Sequence, residues 1–178
     1  MKIKILLVFL IMILTKNVLS AKETKDLYDF SFEDIDGKLI NLNKFNGKPI
    51  LIVNTASRCG FTPQYKNLQN LFLEYKDTDL TIIATTSNSF AQEYNNIEDI
   101  KKICLVNYGV GFVTSSPMNV KGNDAHPIYS WIEKEYNKMP KWNFFKFLFN
   151  RNGHLVDSWS SMVKPDSQKI IKEIDRLI

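Results

Sequence analysis

Two thiols and two imidazoles are the side chains best suited to chemistry in this chain: Cys59, Cys104, His126 and His154. Two cysteines are too few for a disulfide scaffold or a four-thiolate metal site, so the thiols act singly or as a pair. Cys59 stands in the run Ala56-Ser57-Arg58-Cys59-Gly60-Phe61-Thr62. A dithiol oxidoreductase needs a second thiol three positions on, where this chain has Thr62. A copper or zinc role needs neighbouring Cys or His ligands, and neither histidine has metal spacing to Cys59. A cysteine hydrolase needs an imidazole turned onto the sulfur, so a histidine distant in sequence would have to fold against it. A lone nucleophilic thiol is therefore the leading reading. The competing one is a small buried filler, a common fate of free cysteine.

Which reading holds depends on the elements either side of Cys59. Before it, Ile50-Leu51-Ile52-Val53-Asn54 is continuous and rich in β-branched residues, as expected of a central strand buried on both faces. After it, Thr62-Pro63 reads as a cap followed by a first helical position, and Tyr65, Leu68, Leu71, Phe72 and Tyr75 recur at helical spacing. Cys59 is thus expected at a solvent-reachable helix tip, beyond the carboxyl end of a strand, where open α/β sheets bind ligands. Unpaired N–H groups and the helix macrodipole favour negative charge there, and Arg58 adds a positive one. The thiolate, which is the nucleophilic form, gains over the thiol.

The remaining elements follow the same logic. Residues 27–35 and 39–42 flank Asp36-Gly37 as a hairpin. Leu80-Thr81-Ile82-Ile83-Ala84 reads as a second buried strand, followed by a polar loop and a helix over residues 97–108; with the first strand and helix it makes a right-handed βαβ unit. A helix over 126–136 and a hairpin of 144–149 and 154–159 around Asn152-Gly153 come next. Ile170, Ile171, Ile174, Leu177 and Ile178 mark a closing amphipathic helix. This order predicts an α/β domain of thioredoxin-like fold, with a mixed central sheet, helices on both faces and an N-terminal β-hairpin. Trp131 and Trp159 read as packing residues, His126 before Pro127 as a helix entry, and His154 as an exposed strand residue.

Lys2 and Lys4 flank an apolar run from Ile5 to Leu14, and Val18-Leu19-Ser20-Ala21 follows. This is the layout of a secretory signal peptide, and the run is about half the ~20 residues a spanning helix needs. Residues 1–20 are read as signal and 21–178 as one domain, giving an exported protein: periplasmic if bacterial, otherwise in the secretory route or an organelle. The chain has 178 residues, 44% hydrophobic and 24% charged, which suits a single ordinary core. Of the formal charge of +4, Lys2, Lys4 and Lys16 supply three in a stretch without acids and leave +1 for the rest, no signature of nucleic-acid binding.

Three ordered stretches make the reading more specific. Asn54-Thr55-Ala56-Ser57-Arg58-Cys59-Gly60-Phe61-Thr62, with Tyr65, Leu68 and Leu71 after it, closely resembles the active-site segment of the glutathione peroxidase family. Asn88-Ser89-Phe90 with Gln92-Glu93 resembles that family's second motif in a worn form, and Lys141-Trp142-Asn143-Phe144-Phe145-Lys146-Phe147 its third. The resemblance runs over essentially the whole of residues 21–178. It implies a peroxidase of the oxidative-stress response that reduces hydrogen peroxide and organic hydroperoxides, with Cys59 as the peroxidatic residue where many relatives carry selenocysteine. It places Trp142 and Asn143 as N–H donors toward the anion that develops.

The family's glutamine is replaced here by Ser89, in a loop one residue short, and Gln92 takes its role only if that loop is rearranged. The resemblance makes Cys104 the resolving cysteine of the thiol-only branch, able to form a Cys59–Cys104 disulfide once its helix unwinds. An inert core cysteine and a permanent structural bridge are the alternatives for it. It also implies recharging by a thioredoxin-like protein, the typical donor of that branch, or by glutathione, no cofactor, and a monomer, since 136–141 lacks the long insertion of tetrameric relatives. The competing function is a weakly active or redox-sensing relative that passes oxidation to a partner protein.

Overall fold

The computed structural model describes residues 25–178; the expected signal segment lies outside them. Strands β1 (Ser31–Glu33) and β2 (Leu39–Asn41) form the expected antiparallel hairpin, and 3-10 turns at Leu27–Asp29 and Leu42–Phe45 bracket it. Leu27 and Tyr28 are therefore not strand residues. The Asp26 carboxylate draws them into a turn by accepting the Tyr28 N–H at 2.7 Å.

The main sheet is built from β3 (Ile50–Thr55), β4 (Thr81–Thr86), β5 (Val113–Thr114), β6 (Lys146–Phe149) and β7 (Leu155–Trp159), in the order β5-β4-β3-β6-β7. β3 is central, as its continuous apolar run predicts, parallel to β4 and antiparallel to β6. Helix α1 (Gln64–Glu74) crosses from β3 to β4, α2 (Ile97–Lys101) follows β4, α3 (Pro127–Tyr136) precedes β6, and α4 (Gln168–Asp175) closes the chain. Because strand side chains alternate between faces, β3 splits its residues between two cores. Leu51 and Val53 pack with Tyr65, Leu68 and Leu71 of α1, Ile100 of α2, and Ile170 and Ile174 of α4. Ile50 and Ile52 pack with Ile128, Tyr129 and Ile132 of α3 and with Phe32 and Ile40 of the hairpin. This is the mixed sheet covered on both faces that the element order predicts.

Four further details differ from the sequence reading. The helix expected over 97–108 is α-helical only as far as Lys101 and continues as a π-helix from Lys102 to Asn107. α1 starts at Gln64, and Thr62 does not cap it: its hydroxyl turns into the Cys59 turn instead. Phe144 is not a strand residue; it sits at φ +63°, and β6 begins at Lys146. The two-residue β5 carries too little periodicity to be seen in sequence. Gly153, in the β6–β7 turn, is required twice, since it has φ +72° and a Cβ there would meet the Leu27 backbone nitrogen at 2.9 Å.

Candidate active site

β3 ends at Thr55 and α1 begins at Gln64, so Cys59 lies in the turn that joins the carboxyl end of the central strand to a helix N-terminus. Thr62 winds this turn. Its hydroxyl donates to the Ala56 carbonyl at 2.9 Å and accepts the Cys59 N–H at 3.0 Å, while its own N–H reaches the Cys59 carbonyl at 2.9 Å. The Cys59 sulfur accepts the Phe61 N–H at 3.4 Å, a donor suited to a thiolate. Cys59 is only 7% exposed, so the expected open tip is in fact a nearly covered one. Arg58 is exposed and its guanidinium lies 5.4 Å over the Tyr94 ring, so its charge is turned toward that ring.

Asn54, on β3, fixes the segment that carries Trp142 and Asn143. Its amide donates to the Trp142 carbonyl at 3.0 Å and its side-chain oxygen accepts the Phe145 N–H at 2.9 Å. Its backbone carbonyl accepts the Phe144 N–H at 2.5 Å. This clamp holds Phe144 in its left-handed conformation, which costs a bulky residue on the order of 1–3 kcal/mol. Trp142 is 41% exposed and packs on Phe90, with ring centroids 5.3 Å apart. Asn143 is fully buried. Its amide N–H₂ donates to Gln92 Oε1 at 3.1 Å, and its side-chain oxygen has no partner among the described residues.

The loop of residues 88–94 joins the other two segments. The Gln92 carbonyl accepts the Arg58 N–H at 2.9 Å, next to Cys59, while its side chain holds Asn143. Glu93, 4% exposed, accepts the Ser57 N–H at 3.0 Å and the Tyr94 N–H at 2.8 Å; burial raises its pKa above the ordinary carboxylate value. Ser89 does not join this set. Its oxygen accepts the Val120 N–H at 3.0 Å and the Ser87 hydroxyl at 3.0 Å, and no hydrogen bond links it to Cys59. The loop is thus arranged so that the carboxamide beside Asn143 comes from Gln92.

Cys59 and Cys104 are both free thiols and belong to one packed cluster. Cys104 is fully buried in the π-helical segment, and its pKa is pushed up to about 11, chiefly by burial and further by the negative charge of Glu93. His126 accepts the Ile128 N–H at the start of α3, the helix entry expected of it. His154 is exposed just before β7, and Trp131 and Trp159 are packed in the two cores. Among the described residues, no group of three or more His, Cys, Asp or Glu is placed to hold a metal.

Three segments far apart in sequence, at 54–62, 88–94 and 142–145, are therefore tied to one another by hydrogen bonds, with Gln92 and Glu93 bonded to the turn that carries Cys59. Residues 27–133 match the family model described as glutathione peroxidase. The chain is 40% identical to the glutathione peroxidase-like peroxiredoxin of Schizosaccharomyces pombe, over 78% of this chain and 91% of that one. It is 37% identical to the hydroperoxy fatty acid reductase of Synechocystis, over 90% of this chain and all of the relative. This chain belongs to the glutathione peroxidase family. Among solved structures, the apo form of Trgpx superposes with a TM-score of 0.69 at 31% identity, covering 86% of this chain and 96% of that one. As a member of the family, the chain is a peroxidase, an oxidoreductase of the thiol-dependent kind.

The sequence reading gives no role to three buried residues, two of which, Asn54 and Glu93, hold the segments of this peroxidase site together. Asn54 was visible only as part of a motif, and its clamp is a long-range contact. Glu93 was visible only as the second half of a Gln-Glu pair. Lys146, fully buried on β6, donates to Gln64 Oε1 and to the Val163 carbonyl, each at 2.6 Å, and burial lowers its pKa to about 7. A lysine inside an apolar strand was the available signal for it.

Proposed function

We propose that Cys59 attacks the O–O bond of hydrogen peroxide or an organic hydroperoxide, releases water or an alcohol, and becomes a sulfenic acid. The observation that carries this reading is the hydrogen bonding of the three segments to one another, with Gln92 and Glu93 bonded to the Cys59 turn. The indole N–H of Trp142 and the amide of Asn143 are the donors that favour the developing anion, with Gln92 orienting Asn143. Ser89, whose oxygen already accepts two hydrogen bonds, has only its own proton to offer. The half-exposed apolar pair of Trp142 and Phe90 suits organic hydroperoxides, in keeping with the Synechocystis relative named for hydroperoxy fatty acids.

Cys104 then condenses with the sulfenic acid to give a Cys59–Cys104 disulfide and water, and a thioredoxin-like protein reduces that disulfide. The protein acts as an exported monomer after loss of residues 1–20, which N-terminal sequencing of secreted material and its solution mass would test. The functional test is steady peroxide consumption with thioredoxin or glutathione as the electron source. Thioredoxin sustains turnover and glutathione does so at a small fraction of that rate. Cys59→Ser lowers turnover at least a thousandfold, as loss of a nucleophile does. Mass spectrometry after one equivalent of peroxide finds an internal disulfide; a persistent sulfenic acid would remove Cys104 from the cycle.

A further inference from the structure

Peroxide attack leaves one buried ionisable group of the site unused. The Glu93 carboxylate is fixed to the Cys59 turn through the Ser57 N–H, two residues before the reactive sulfur. Four buried hydroxyls lie on β3, the Cys59 turn, α1 and β4, those of Thr55, Ser57, Tyr65 and Thr86, and none makes a hydrogen bond among the described residues. Thr55 and Thr86 are paired across β3 and β4. Tyr65 faces Thr55, and Ser57 faces Glu93, without either pair closing a hydrogen bond. Cys104 packs in the same cluster as Cys59 and Tyr65, within reach of the Glu93 charge. Cys59 and Cys104, which must exchange bonds, thus share a cluster that includes Tyr65.

The exchange has a proton problem. At rest Cys104 is a buried thiol whose pKa is pushed up to about 11, yet the thiolate is the species that attacks. The hydroxide leaving Cys59 needs a proton in its turn. We propose that Glu93 carries that proton in the resolving step: its carboxylate takes it from Cys104 Sγ as this sulfur attacks Cys59 Sγ, and delivers it to the departing hydroxide. The S–S bond forms as the Cys59 S–O bond breaks. The Cys104 sulfur is oxidised, the Cys59 sulfur is reduced, and water leaves, so no further oxidant or reductant is needed.

The inference rests on Cys104 being the resolving cysteine. Glu93 stays with the Cys59 turn while Cys104 travels, so the thiol reaches Glu93 as it reaches Cys59. A buried carboxylate with a raised pKa is also a closer match for proton transfer near neutral pH than an exposed one. The other titratable groups facing this region are Tyr65 from α1, Cys104 and Lys101 from the helix after β4, Tyr108 at its end, and Arg58 from the Cys59 turn.

The test reads the two chemical steps separately in a single turnover with hydrogen peroxide, by trapping sulfenic acid and weighing the disulfide, in wild type, Glu93→Gln and Glu93→Asp. Glutamine can still accept the Ser57 N–H, so the turn keeps its tie. At pH 7, disulfide formation in Glu93→Gln is at least tenfold slower and rises about tenfold per pH unit from 7 to 9, tracking the thiolate. Wild type is nearly flat there, and Glu93→Asp regains the flat profile at reduced rate. Wild-type rate and pH profile in Glu93→Gln overturn the proposal. So does equal slowing of both variants without a pH slope, which indicates a merely structural carboxylate. If wild type forms no internal disulfide and Cys104→Ser gives the same product, the assignment of Cys104 falls and takes this step with it.

Discussion

At the scale of the residue, the site is a matter of which polar groups are already committed. Ser89 and Gln92 both come from the loop after β4, yet only Gln92 meets a site residue, through the amide of Asn143. Fixing that amide in advance removes the cost of orienting it when negative charge develops. Asn143→Ala is expected to lower kcat/KM for hydrogen peroxide about a hundredfold, the usual loss for one such donor. Gln92→Ala should cost about tenfold, since Asn143 stays but is released, whereas Ser89→Ala should leave the rate within about threefold. Stopped-flow measurement of sulfenic acid formation checks all three. A larger loss from Ser89→Ala than from Gln92→Ala would return the family's glutamine role to Ser89.

At the scale of the element, the helix after β4 is uneven by construction. From Lys102 to Asn107 its backbone follows the wider π geometry, with the Tyr108 N–H bonded to the Ile103 carbonyl. Such segments hold less favourable hydrogen bonds and are short for that reason. Cys104 is the one fully buried residue of this stretch, while Leu105 and Val106 are exposed, so unwinding it sacrifices little apolar burial. The same motion frees the resolving thiol. Amide hydrogen exchange at Ile103, Cys104 and Leu105 is expected to be at least tenfold faster than at Leu68 and Leu71 of α1. Equal protection of the two helices would mean the thiol is held as firmly as the core.

For the whole molecule, the two cores on either face of the sheet carry the stability, and one of them contains a cation. Among the described residues Lys146 has no carboxylate partner, and burial lowers its pKa from 10.5 to about 7. Between those values the unfolded chain binds one more proton than the folded one, so stability gains roughly 1 kcal/mol per pH unit as pH rises from about 7 to 10. Below 7 both states are charged and the burial penalty is complete. Urea midpoints measured from pH 6 to 9 should rise more steeply above pH 7 in wild type than in Lys146→Met. Parallel curves would mean that the ammonium is solvated after all.

The sequence alone determined the parts that depend on local pattern: the central strand, the helix directly after it, the two hairpins, and a single thiol at the junction. Side-chain periodicity and turn chemistry are properties of neighbours along the chain, so they can be read there. The three motif segments were also legible, each in isolation. How they meet was not, because Asn54 with Phe145, Gln92 with Asn143 and Glu93 with Ser57 are pairs separated by 36 to 91 positions. Nor was the π-helical turn around Cys104, since a change in backbone pitch leaves the pattern of apolar residues almost unaltered. Only folding decided that Ser89 would bond to Val120 and leave Asn143 to Gln92, because an acceptor's partner is fixed by which N–H the tertiary structure brings to it.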